Sequence, residues 1–219
     1  MPFTFPASLD DFVAALPIRD CTVELPETVA VSRTEGGELI TDNIGNRLFQ
    51  GTVTLGRLTP YEADDAQSLI DVMRGAEASF MINDRLRRGP REDPDGSGLV
   101  GRDVTFRSLR GSDARQMALN GLPPFYQLRR GDYLSFEYQS NPSRFAFHRL
   151  AEDIRAFSGG STDWFQVMPP VRPGVAVGAP VRLVDPMMKA RIIPGSVKAG
   201  RKTRFVTDGI SFQFMQTLR

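Results

Sequence analysis

One cysteine and one histidine among 219 residues leave this chain short of the groups with which most enzymes attack carbon, move protons or hold metal. Cys21 and His148 cannot make a zinc site of the usual type unless carboxylates supply the other ligands. A lone cysteine forms no internal disulfide, so nothing calls for maturation in an oxidising compartment. Net charge is scarce as well: 27 basic side chains stand against 26 acidic ones. That balance lacks the footprint of a general nucleic-acid binder or of a protein held to anionic lipid, although it leaves room for a local patch. No stretch approaches the length of a membrane span, and Met1 to Ala7 are neither basic nor continuously apolar. The expectation is a protein made and used without secretion or membrane insertion. No repeat of fixed period is visible.

What the chain has is apolar content of 41%, with 20 glycines and 16 prolines, which favours short strands joined by turns around a real core. The clearest unit runs from Arg47 to Asp84. Phe49, Val53 and Leu55 keep the period of a half-buried strand, with Gln50, Thr52 and Thr54 on the other face. Thr59 then caps a helix, Pro60 fits its first position, and Glu62 completes a capping box. Ala63, Ala66, Ile70 and Met73 form one apolar stripe, and Gly75 offers a left-handed stop. Phe80 and Ile82 mark a second strand.

Elsewhere the residues predict a mainly β chain. Residues 1–20, with Phe3, Phe5 and Pro6, read as an N-terminal arm. Cys21, Val23 and Leu25 alternate, and after Pro26 the alternation resumes at Val29 and Val31. Residues 85–98 hold almost nothing to bury and read as a mobile loop. Short apolar runs follow at Val104 and Phe106, at Leu134, Phe136 and Tyr138, at Phe145 and Phe147, and at Phe165 and Val167. Each is bounded by turn residues, as in a small antiparallel barrel or sandwich. Val181 and Leu183, Ile193, Phe205, and finally Ile210, Phe212 and Phe214 give further strands, the last expected to pair back into the first sheet. The division that follows is an outer domain of residues 21–99 plus 179–219, with residues 100–178 inserted as a peripheral barrel.

Candidate chemistry is thin, and no residue is expected to be catalytic or to hold a cofactor or metal. His148 sits on the strand face opposite Phe145 and Phe147, as a surface or partly buried histidine. Arg85, Arg87, Arg88 and Arg91 are the main polar cluster. They read either as a solvated loop neutralised by Glu92, Asp93 and Asp95 or as an arm gripping carboxylates on a neighbouring subunit. Arg130, Gly131 and Asp132 spell an integrin-type tripeptide that turn chemistry before Tyr133 also explains. Trp164 and Tyr133 are candidates for a weak glycan-stacking face, set against a role in core packing.

The order of these features resembles the distal tail protein family of long-tailed phages and gene transfer agents. The resemblance rests on the Phe5-Pro6 opening, Val29 to Arg33, the Thr59 to Ala63 helix start, Gly75, the basic loop, Gly131 to Tyr133, Val167 to Arg172, and Pro180 to Leu183. It implies a tail-tube-like β-sandwich or split barrel with one flanking helix and an inserted β-barrel. It also implies a structural virion protein at the tail tip, a homo-hexameric ring between the tail tube and the hub or baseplate. Double-stranded DNA would pass through that ring without specific binding. Phe3, Phe5, Arg85, Arg87, Arg88 and Arg91 are then the candidate subunit or partner interface. The alternatives are a carbohydrate-binding adsorption module or another minor tail component.

Overall fold

The computed structural model describes residues 4–43, 45–139 and 142–218. The fold is mainly β. Strands β1 (Ile18–Glu24), β2 (Val29–Arg33), β3 (Leu39–Asn43) and β4 (Gln50–Leu55) precede helix α1 (Pro60–Val72), and β5 (Phe80–Asn83) follows it. A turn-rich segment leads to β6 (Thr105–Arg110), β7 (Asp113–Asn120), β8 (Gln127–Leu128), β9 (Tyr133–Tyr138) and β10 (Arg144–Leu150). Then come β11 (Ile154–Arg155), β12 (Phe165–Met168), β13 (Val181–Arg182), β14 (Met187–Ile192), β15 (Lys198–Lys202) and β16 (Thr207–Gln216).

The first sheet runs β1-β4-β16-β14-β5, with β15 on the first half of β16. Every pairing in it is antiparallel. The strong alternation of β16 explains its central place: Ile210, Phe212 and Phe214 point into the core while Ser211, Gln213 and Met215 point out. β4 lies so close to β1 that a side chain at Gly51 would put its Cβ 1.9 Å from the Thr22 carbonyl oxygen. Thr59 and Glu62 form both halves of the capping box at the start of α1, and Ala63, Ala66 and Ile70 are buried. The helix ends on Met73 in a right-handed conformation; Gly75 does not take the left-handed form expected of it.

From Ala7 to Leu16 the N-terminal residues belong to this core rather than to an arm. Ala7 bonds to both sides of Phe80, its amide to the Ser79 carbonyl at 2.8 Å and its carbonyl to the Met81 amide at 2.9 Å. The helical turn Leu9–Val13 then drives Phe12 edge-on against Phe80, with ring centroids 4.8 Å apart. Phe12 and Val13 are fully buried, which an arm free in solution would not allow.

The second sheet runs β13-β9-β10-β12-β7-β6 and curls into a nearly closed barrel. Amides of Phe106 and Val181 close it, bonding to the Ala179 and Val104 carbonyls at 2.8 Å each. Val181 and Arg182, expected in the outer domain, pair instead with Phe136 and Ser135 of β9. Alternation places β9 and β10 between two cores. Leu134, Phe136, Tyr138 and Ala146 face the barrel interior. Tyr133 and Phe147 face the first sheet, where the Phe147 ring stacks on Tyr133 at 5.0 Å and meets Phe49 edge-on at 4.9 Å. The barrel is fastened to the first sheet through this aromatic layer.

Candidate functional site

The basic segment after β5 is a succession of tight turns and one short 3-10 helix, Ser97–Leu99, rather than a free loop. Its order comes from carboxylates far away in sequence. Asp132 is completely buried in the turn before β9 and accepts from Arg87 Nη2 at 2.7 Å, the Arg91 amide at 3.1 Å and the Arg129 amide at 2.8 Å. A buried carboxylate needs such donors, and three of them meet it here. The Arg87 guanidinium also lies 5.5 Å from the centre of the Tyr133 ring. The integrin-type tripeptide therefore has its acid turned inward.

Arg88 makes a two-pronged pair with Asp185, at 2.9 and 2.6 Å, and the Asp185 amide returns a bond to the Arg88 carbonyl at 2.6 Å. Asn83 at the end of β5 donates to the same carboxylate at 3.1 Å. The Arg88 guanidinium holds the Asp185 carboxyl below the usual carboxylate range, and Asp185 in turn raises Arg88. Arg91 reaches the Arg130 carbonyl at 3.3 Å, while Arg129 bridges Glu92 and Asp153. Further on, the Tyr126 hydroxyl donates to Asp93 at 2.8 Å, and burial beside that acid pushes the phenol well up. Arg87, Arg88 and Arg91 thus close a clasp within the chain, between the segment after β5 and the turns flanking β9 and β14. Arg85 makes no ion pair among the described residues, and its charge adds to the lowering of the Asp185 carboxyl.

The other sequence candidates are dispersed. His148 is fully buried rather than on a surface: its ring stacks on Phe136 at 5.4 Å and Nδ1 lies 2.7 Å from the Pro169 carbonyl. Since a carbonyl only accepts, Nδ1 carries the proton and Nε2 is a buried acceptor with no partner among the described residues. Burial pushes its pKa down to about 4. Cys21 is buried too, and desolvation first, then the charge of Asp84, raises its thiol to about 11. Neither group is poised for chemistry at neutral pH. Tyr133 is only 9% exposed in the aromatic layer and offers no stacking face, whereas Trp164 is 42% exposed with Arg110 above its ring. Phe5 is exposed, and Phe3 lies outside the described residues.

The chain matches no family model and no curated protein.

Its outward features are those of a surface. A groove of about 400 Å3 beside the end of α1 is lined by Met73, Arg74, Arg191, Met215 and Thr217, without carboxylate, histidine or cysteine among its lining residues. The outer face of the first sheet has hydroxyls and amides at its centre, from Gln50, Thr52, Thr54, Ser211 and Gln213. Asp20 and Glu24 flank this strip on β1, and Arg191 and Lys198 flank it on β14 and β15. Asp132 and Asp185, which organise the clasp, escaped sequence reasoning. Asp132 looked like a turn residue, and Asp185, whose backbone takes a positive φ of 46°, carried no local signal.

Proposed function

We propose that this chain is a structural assembly protein, the homo-hexameric ring that joins a phage-type tail tube to the hub or baseplate at the tail tip. The observation that supports it most is the outer face of the first sheet. A ring that lets double-stranded DNA pass must not hold phosphates, and a strip of threonine, serine and glutamine amide and hydroxyl groups carries no fixed positive charge at its centre. The internal ion pairs of Arg87 and Arg88 agree with this, because both guanidinium groups are already satisfied by carboxylates of the same chain. The clasp and the aromatic layer hold the barrel at a fixed attitude to the first sheet, as an adaptor between two partners requires. Negative-stain imaging of the purified protein tests the reading. Rings with a central hole are expected; scattered single particles at every concentration would overturn it.

A further inference from the structure

Two β-hairpins leave the first sheet at opposite ends, and they carry opposite charge. The register fixes this geometry: in the antiparallel pair of β4 and β16, Gln50 lies beside Met215 and Thr54 beside Ser211. β2 and β3 are inserted between Glu24 and Gln50, which are themselves paired, so their hairpin leaves at the Gln50 end. β15 pairs with the first half of β16, from Lys198 beside Ser211 to Lys202 beside Thr207, so its turn at residues 203–206 leaves at the other end.

The first hairpin pairs with no other strand among the described residues. Val31 and Leu39 lie on one of its faces and are 58% and 55% exposed. Glu35 and Glu38 sit at its tip, exposed, with no cationic partner among the described residues; Arg33 is its one cation. A projecting strand pair with bare aliphatic residues is a template for association. The second hairpin is its counterpart. Lys198, Arg201 and Arg204 are exposed without acidic partners among the described residues, while Lys202 is taken by Asp64. Phe205 at its turn is 74% exposed, with the Arg204 guanidinium 5.5 Å from its ring centre.

We propose that the acidic hairpin of one copy docks on the basic hairpin of the next, head to tail. Val31 and Leu39 cover Phe205, and Glu35 and Glu38 face Lys198, Arg201 and Arg204. The occupant is a second copy because one chain carries both halves at opposite ends, the requirement for a heterologous contact that repeats. This inference rests on the ring reading and supplies its joint.

The test is the concentration at which the full-length protein is half assembled, measured by light scattering. Glu35→Lys with Glu38→Lys, and separately Arg201→Glu with Arg204→Glu, each raise it by about tenfold or more, as does moving to about 0.5 M salt. Combining the four changes restores it to within about threefold of wild type. All four residues are exposed, so the thermal midpoint measured well below the assembly concentration stays unchanged and excludes unfolding. Variants that assemble like wild type, or a combination no better than its parts, would overturn the joint and leave the ring intact. Loss of duplex DNA retention by Arg201→Glu with Arg204→Glu at unchanged assembly would assign the basic hairpin to nucleic acid, also overturning it. A wild-type protein that never associates would sink joint and ring together.

Discussion

Arg87 and Asp132 meet at 2.7 Å although 45 residues separate them, and the acid is wholly buried while the arginine is partly open to solvent. This pair is the pin of the clasp between the two sheets. Replacing Asp132 by alanine strands the Arg87 guanidinium and two backbone amides at once, so the loss is expected at about 3 kcal/mol or more. Arg87→Met leaves Asp132 its two amide donors and is expected to cost less. Urea unfolding of both variants checks the ranking; equal and negligible effects would show that the clasp contributes nothing to stability.

The buried histidine makes stability depend on pH. His148 titrates near 4 when folded and near its ordinary value of 6.5 when unfolded, so the unfolded chain takes up the proton first. Its contribution is complete above about pH 6.5, declines as pH falls, and is lost by about pH 4, on the order of 3 kcal/mol in all. His148→Leu is expected to be somewhat less stable at pH 7, because the Pro169 carbonyl loses its donor, and to show a flatter stability profile between pH 6.5 and 4. An unchanged slope in that variant would assign the acid sensitivity to other groups.

Gly51→Ala brings the new methyl against the Thr22 carbonyl oxygen at 1.9 Å and the Phe214 ring at 2.6 Å. The backbone on one side and a packed core ring on the other leave no easy relaxation, so β1 must move away from β4. The expected cost is about 3 kcal/mol or more, read as a drop in thermal midpoint. A silent substitution would mean that the two strands part without penalty.

Much of the fold was legible where a local pattern carries it. The alternation around Val53, the Thr59 to Glu62 cap and the Phe212 strand were all readable because burial on one face imposes a short period. β15 was invisible, since Lys198 to Lys202 contains no residue to bury and is a strand only because β16 offers it partners. Phe205 was read as a strand residue, but it lies at the tip of that hairpin and faces solvent. β7 was missed as well: of its residues only Met117, Ala118 and Leu119 are buried, and they are consecutive rather than alternating. The clasp arginines were singled out in the sequence, but their partners were not. Asp132 and Asp185 come near them only through the stacking of one sheet on another, which no window of sequence records.

The proposed function stands or falls with assembly into a closed ring. Light scattering on the purified protein over a wide concentration range tests it most directly. A hexameric ring gives a plateau at six protomer masses that falls toward one on dilution or in high salt; a constant mass of one protomer up to the highest soluble concentration would rule the ring out.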